Sequence, residues 1–320
     1  MTRVAILDDY QNVALELADW DSLGPDAEVT SFNEFLQTDE DRVANALAGY
    51  DVIVGMRERT RFPASQLEKL PDAKLMVTTG MRNLAWDMAK ARELGITVCG
   101  TAILPYPAFE HAWALIFALA KGIPLEDRTM KSGGWQKSFP VGLRGKTLGV
   151  IGLGKLGAQS AALGQALGMR VVAWSQNLTE DRAAECGAML VTKENLFKQS
   201  DFITIHVLLS ERTTGIVGAK ELGLMKPSAY LVNTSRGPVV DEAALIQALK
   251  ANHIKGAGID VYDEEPLPAK HPLRALDNTV LTGHTGYVMQ ENYELMFREA
   301  VECIKGWLGG APVRVLNGEG

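Results

Sequence analysis

The chain has 320 residues, 47% hydrophobic and 22% charged, with a formal net charge of -7. That length leaves room for two domains with sizeable cores, and the acidic balance excludes a general binder of nucleic acid or of membrane surfaces. Its longest apolar run, residues 112–120, is too short to span a bilayer, and Cys99, Cys186 and Cys303 lie far apart without metal-type spacing, so reduced, buried thiols and no metal site are expected.

In chain order, the first element is an apolar run at 4–7, followed by Asp8 and Asp9. No basic stretch and cleavage site precede it, so a cytoplasmic protein is expected. Further strand-like runs lie at 29–32, 51–55, 75–79 and 96–99, and segments 39–48, 63–70 and 83–94 between them have helical composition. Such alternation predicts a parallel sheet with helices on both faces. An apolar helix at 110–121 and the loop Gly133-Gly134-Trp135 come next. A second alternating series begins near Lys146, with strands at 147–151, 169–174, 202–207, 230–234, 256–261 and 279–282. The last segment, 290–308, sets Tyr293, Met296, Phe297, Ala300, Val301, Ile304 and Trp307 at helical spacing. An apolar face of that width needs a partner. We place it against the first domain, making that domain discontinuous (1–101 and 290–320) around a second at 102–289; packing on its own neighbours is the alternative.

The most specific feature is the turn Gly152-Leu153-Gly154-Lys155-Leu156-Gly157. It follows a buried-strand pattern, opens a helical segment at 155–167 and leads into another strand, the context of a dinucleotide-binding fingerprint. The first glycine permits a tight turn, the second lets backbone N–H groups approach a pyrophosphate, and the third lets the helix pack on the strand. The positive end of the helix then faces the phosphates.

Three polar clusters follow later strands: Asn233-Thr234-Ser235-Arg236-Gly237, Asp260 to Pro266, and Gly283-His284-Thr285-Gly286. In an open α/β sheet, ligands bind beyond the carboxyl ends of the strands. Arginine holds a carboxylate or polarises a carbonyl, histidine moves a proton near neutral pH, and a carboxylate on the histidine fixes its tautomer. Singly, each has a plainer reading: a surface ion pair for Arg236, a solvated acidic run for Glu265, a satisfied buried imidazole for His284. Their joint occurrence at strand ends favours the catalytic one.

With these motifs in order, the chain resembles the D-isomer-specific 2-hydroxyacid dehydrogenases, the family of phosphoglycerate, glycerate and glyoxylate/hydroxypyruvate enzymes. The resemblance covers most of residues 144–287, through LRGKTLGVIGLGKLG, MKPSAYLVNTSRGPVVDEAALIQAL, GAGIDVYDEEPLP and VLTGHTGY. It is looser in the first domain, through residues 57–60, Thr79 to Asn83 and Glu110-His111. It implies a Rossmann-type cofactor domain and a flavodoxin-like substrate domain completed by the C-terminal helix. By position, Arg236 would bind the carboxylate and carbonyl oxygen of a small 2-keto or 2-hydroxy acid, His284 would exchange the proton, and Glu265 would pair with His284. Asp260 would contact the nicotinamide amide. The glycine turn, Ser175, Gln176, Asn177 and Thr234 would lie at the cofactor, and His206 reads as structural or cofactor-near, with no role in proton transfer. Arg57 and the loop Gly80-Met81-Arg82 would hold the substrate carboxylate, partly through backbone N–H groups. Domain closure and a homodimer formed around the 110–121 helix are implied too. His111, His253 and His271 read as structural or surface residues.

Two departures stand out. Gly283 replaces the proline that commonly precedes the catalytic histidine, which implies a freer loop. Ser175-Gln176-Asn177 stand where NAD-preferring members place an aspartate, so NAD and NADP stay open. Trp86 reads either as core or as a shaper of substrate choice. Competing functions are a dinucleotide-sensing interaction protein with little turnover and a phosphite-type dehydrogenase.

Overall fold

The computed structural model describes residues 1–37 and 39–318; the expected end of the first domain at 320 lies outside the described residues. The chain divides into two compact units, one of Met1–Leu104 with Val288–Gly320 and one of Pro105–Tyr287.

The first unit holds strands β1 (Thr2–Ile6), β2 (Ala27–Ser31), β3 (Val52–Gly55), β4 (Leu75–Thr78) and β5 (Thr97–Gly100), with helices α1 (Glu40–Ala46), α2 (Ala64–Leu67) and α3 (Met88–Glu93). All strands pair in parallel in the order β2-β1-β3-β4-β5, the flavodoxin-like order. β3 and β4 are buried at every position and read as continuous apolar runs, as strands covered on both faces must. The helix expected over 83–94 begins only after Asp87, whose carboxylate accepts from the Lys90 N–H at 2.9 Å. The residues ahead of it are held in a loop because the Asn83 side chain donates to Arg57 O (2.7 Å) and Thr78 Oγ1 (2.9 Å). The helix expected over 63–70 shrinks to one turn, α2. Trp86 is core: its Nε1 donates to Thr60 O at 3.1 Å, and its ring meets Phe62 edge-on.

The second unit holds β6 (Thr147–Ile151), β7 (Arg170–Trp174), β8 (Met189–Leu190), β9 (Phe202–Ile205), β10 (Tyr230–Asn233), β11 (Gly256–Ile259) and β12 (Thr279–Leu281). Its helices are α4 (Pro107–Lys121), α5 (Ile123–Lys131), α6 (Lys155–Ala166), α7 (Glu180–Glu185), α8 (Lys193–Gln199), α9 (Ala219–Leu224) and α10 (Glu242–Lys250). The sheet is parallel throughout, in the order β12-β11-β10-β9-β6-β7-β8. Counted from β6, this is the Rossmann order 3-2-1-4-5-6 with one strand added, and the order reverses between β6 and β9. Strand residues alternate between two cores. Leu148, Val150, Val171 and Phe202 pack with Trp113, Leu115 and Ile116 of α4, while Ile151, Val172, Ile203 and Ile205 pack on the other face with Phe197 and Leu245. Thr179, Thr192 and Asp241 cap α7, α8 and α10 through their side chains.

The closing helix α11 (Gln290–Leu308) lies on β4 and β5 of the first unit, burying Tyr293, Met296, Phe297, Ala300, Val301 and Ile304. Trp20 meets Phe297 edge-on there. Trp307, expected on this face, is only half-buried. Cys99 and Cys303 are buried and Cys186 half-buried. Among the described residues no helix is long and apolar enough to cross a membrane, and none of the His, Cys, Asp and Glu side chains group as a metal site.

Candidate active site

The glycine turn sits at the β6/β9 crossover, and its three glycines differ in what surrounds them. Gly152 has φ +89°, and a Cβ there would lie 2.5 Å from His206 O. A Cβ on Gly157 would lie 1.9 Å from Gly152 O, so α6 can start this close to β6 only because the side chain is absent. A Cβ on Gly154 would meet nothing within 4 Å, which leaves open space over the second glycine. Gly154 is also the N-cap of α6 and makes no side-chain cap. The first N–H groups of a 12-residue helix, from Lys155, Leu156 and Gly157, therefore face that space. This cradle fits a dinucleotide pyrophosphate.

His206 stands behind the turn. Its N–H donates to Ile151 O (2.7 Å), and its Nε2 lies 2.9 Å from Ser160 Oγ of α6 and 3.0 Å from Thr204 Oγ1. Desolvation of the ring pushes its pKa down to about 4, so the imidazole is neutral near pH 7 and acts as a strut under the cradle. Ser175, Gln176 and Asn177 follow β7, with Ser175 half-buried and the other two exposed. Thr234 is half-buried just past β10.

The ends of β10, β11 and β12 lie side by side and carry the other three clusters. After β10, Asn233 Oδ1 accepts from Ser235 N (3.0 Å), and Asn233 Nδ2 donates to Arg236 O (3.0 Å). Ser235 Oγ donates to Ile205 O at 2.7 Å, which anchors this loop to β9. Arg236 Nη1 donates to Ser235 O at 2.8 Å. A Cβ on Gly237 would lie 2.1 Å from Tyr262 C, so the loops after β10 and β11 touch through a glycine. Glu265 Oε1 accepts from Tyr262 N (2.9 Å), while Glu265 Oε2 lies 2.6 Å from His284 Nδ1. These last two side chains are 31% and 20% exposed, so the pair is open to a ligand.

His284 has φ +54°, a left-handed conformation that costs a non-glycine residue about 1 kcal/mol or more. Its N–H donates to Asp260 O at 2.7 Å. Gly283 before it is outside the left-handed region, and a Cβ there meets nothing within 4 Å, so the freedom expected of this glycine is not used. Asp260 is fully buried. Its Oδ1 accepts from Thr282 Oγ1 (2.6 Å) and Thr285 N (2.8 Å), and its Oδ2 from Gly286 N (2.9 Å). His111 Nε2 of α4 lies 3.2 Å from the same Oδ1. Burial alone would raise this carboxyl, but hydrogen bonding and charge from His111, with the Thr282 and Thr285 bonds, hold it down at about 2. A nicotinamide amide would have to share Oδ2 with Gly286. Tyr262 Oη bridges Ile259 O (3.0 Å) and Thr282 O (2.8 Å), and burial raises its pKa.

In the first unit, Arg57 follows β3 with φ +54°. Its N–H donates to Thr79 Oγ1 (2.9 Å) and its Nη1 to Thr79 O (3.2 Å). The guanidinium lies so close over Gly80 (φ +120°) that a Cβ there would be 1.9 Å from Nη1. Gly80 N–H is taken by Thr101 Oγ1 at 3.1 Å, which leaves Met81 and Arg82, both exposed, as the loop's outward residues.

Nothing in the sequence singles out His111, Thr282, Thr285 or Tyr262 for a place at this site. Glu110-His111 was legible as a motif, but only packing puts His111 against Asp260.

Two parallel sheets, one with a glycine cradle at its crossover, and an Arg, Glu and His at adjacent strand ends define a dinucleotide-dependent oxidoreductase of the α/β class. Residues 113–286 match the family model "D-isomer specific 2-hydroxyacid dehydrogenase, NAD binding domain". The chain is 35% identical over 272 residues to a glyoxylate reductase of Aeropyrum pernix, covering 81% of each. It is 36% identical over 271 residues to a D-3-phosphoglycerate dehydrogenase of Archaeoglobus fulgidus, covering 83% of this chain and 51% of that one. A phosphoglycerate oxidoreductase structure from Vibrio cholerae aligns with a TM-score of 0.92 at 33% identity, over 97% of this chain and 100% of the other. A D-lactate dehydrogenase from Aquifex aeolicus, solved with NAD and lactic acid, aligns with a TM-score of 0.77 at 26% identity, over 99% and 100%. The chain belongs to the D-isomer-specific 2-hydroxyacid dehydrogenase family and is a nicotinamide-dinucleotide-dependent oxidoreductase of 2-hydroxy acids.

Proposed function

We propose that this protein interconverts a small 2-keto acid and its D-2-hydroxy acid in the cytoplasm, with His284, Glu265 and Arg236 as the catalytic set. The observation that carries this reading is the 2.6 Å contact between His284 Nδ1 and Glu265 Oε2 at the strand edge that also bears the glycine cradle. The carboxylate holds the proton on Nδ1, so Nε2 is the nitrogen that exchanges a proton with substrate. In reduction, Nε2 gives its proton to the carbonyl oxygen; in oxidation it removes the proton from the hydroxyl. The bound nicotinamide supplies or receives the hydride at C2. Arg236 neutralises the substrate carboxylate and polarises the carbonyl. Gly152, Gly154, Lys155, Leu156 and Gly157 hold the pyrophosphate. Ser175, Gln176 and Asn177 meet the adenosine ribose, where neither a carboxylate nor a cation selects between NAD and NADP. Arg57, Met81 and Arg82 offer a cationic edge and loop N–H groups to the substrate carboxylate.

The homodimer is part of the same reading. Ala112, Trp113, Leu115, Ile116 and Ala120 of α4 are buried in their own unit, but Phe117, Ile123, Leu125, Met130, Trp135 and Phe139 are exposed, Phe139 by 99%. An apolar surface of this kind suits a second copy of the chain.

The test is oxidation of NADH and of NADPH against glyoxylate, hydroxypyruvate and phosphohydroxypyruvate. Turnover with one pair supports the assignment and identifies the coenzyme. Dinucleotide binding without turnover of any 2-keto acid would move the assignment to dinucleotide sensing or to a phosphite-type reaction.

A further inference from the structure

The imidazole of His284 is held by a loop in an unfavourable conformation, so something must hold the loop. The clamp is Asp260. Its backbone oxygen and both carboxylate oxygens receive the N–H groups of three consecutive residues, His284 (2.7 Å), Thr285 (2.8 Å) and Gly286 (2.9 Å). Thr282 Oγ1 adds a bond of 2.6 Å from the other side of His284. A buried carboxylate gripped this way must itself be oriented; Thr285 Oγ1 adds a longer bond to Oδ1 (3.3 Å), and a further contact comes from α4.

Two glycine positions explain how α4 reaches it. A Cβ on Gly258 of β11 would lie 3.0 Å from Leu115 Cβ and 3.2 Å from Leu119 Cδ1, so α4 rests directly on β11. A Cβ on Gly286 would lie 2.9 Å from Asp260 Oδ2, 3.7 Å from His111 Cδ2 and 3.8 Å from Ala108 Cα. Gly283, by contrast, has open space beside it. The loop is thus pressed onto the first turns of α4 where His111 stands.

The ionised Asp260 carboxylate only accepts, so the single hydroxyl proton of Thr282 goes to Oδ1. Thr282 Oγ1 therefore accepts from His111 Nε2, 2.9 Å away. His111 must carry its proton on Nε2, and it shares that donor between Thr282 Oγ1 and Asp260 Oδ1.

We propose that His111 is a positioning residue: from α4 it donates through Nε2 to the Thr282–Asp260 pair and so locks the loop that holds the His284 imidazole for proton transfer. His111 touches no reacting atom. Its effect on turnover rests on the proposed function above; its effect on the loop does not.

Two variants separate these. His111→Leu removes the donor; His111→Gln keeps an N–H donor of similar reach. Amide hydrogen exchange is followed across residues 282–287, and reduction of the best 2-keto acid is followed in parallel with direct titration of the dinucleotide. In His111→Leu we expect exchange at 284–286 to speed up about tenfold or more. We expect kcat to fall about 10- to 100-fold, with KM and dinucleotide affinity within about twofold. His111→Gln should recover most of both losses. Unchanged exchange in His111→Leu overturns the clamp. Faster exchange with unchanged kcat overturns the positioning role. Faster exchange rescued by His111→Gln in a protein that turns over no 2-keto acid leaves the clamp standing and overturns the proposed function instead. Should His111→Leu not fold, His111→Ala removes the same Nε2 donor, leaves the Thr282–Asp260 bond in place, suits a helix, and decides the same points.

Discussion

Acid should weaken this protein through one histidine that does no proton transfer. His206 is desolvated behind the glycine turn, its Nε2 held by Ser160 and Thr204, and its pKa is about 4 instead of the ordinary 6.5. Between those values the unfolded chain binds a proton that the folded chain refuses, so stability falls as pH drops below the unfolded value, and the loss is complete below the folded one. The gap corresponds to a maximum of about 3 kcal/mol, of which about 2 kcal/mol is lost by about pH 5. Asp8, whose pKa burial raises, works in the opposite sense, so wild-type data alone would mix the two. The assay is urea unfolding at several pH values from about 7 to about 5, for the wild type and His206→Gln. The variant's absolute stability is irrelevant; the slopes matter. The wild type should lose about 2 kcal/mol more than the variant over that range. Parallel slopes would mean that the imidazole is protonated in the folded state and that the strut reading is wrong.

Replacing His284 with Ala should lower reduction by about 10²- to 10⁴-fold without changing dinucleotide affinity; turnover within about threefold of wild type would remove His284 from the proton path. Gly157→Ala, with a Cβ 1.9 Å from Gly152 O, should cost about 1–3 kcal/mol of stability by displacing α6 from β6 and should weaken dinucleotide binding, read by thermal shift and titration. Gly283→Ala should be silent, within about 0.5 kcal/mol and with kcat unchanged, because its φ is ordinary and its Cβ meets open space. A large loss there would show that the loop uses glycine's freedom in the working enzyme. As pH falls toward 2, the ionised Asp260 (pKa about 2) gives up a contribution present above the unfolded aspartate value, and the 282–287 amides should lose protection in step.

Much of the architecture was legible because its signals are local. Strand runs such as residues 147–151 are apolar throughout since both faces of a parallel strand are covered, and the spacing of Gly152, Gly154 and Gly157 records three separate steric demands within one turn. The closing helix announced its apolar face through the spacing of Tyr293, Phe297, Ala300 and Ile304. Where local composition misled, a side chain had found a distant partner. Residues 83–86 look helical, yet Asn83 is bound to Arg57 and Thr78, and the helix waits for the cap at Asp87. Gly80 offered a free N–H on paper, but Thr101 takes it.

The sequence by itself determined that this is a two-unit α/β chain with a dinucleotide cradle and an Arg, a Glu and a His at successive strand ends, because those features are written in periodicities and spacings of a few residues. Only the tertiary structure decided which groups hold those residues in place. His111 and Thr282 are 171 positions apart, and no periodicity links them. They meet because Gly258 lets α4 rest on β11, and the buried Asp260 beside them needs every donor within reach.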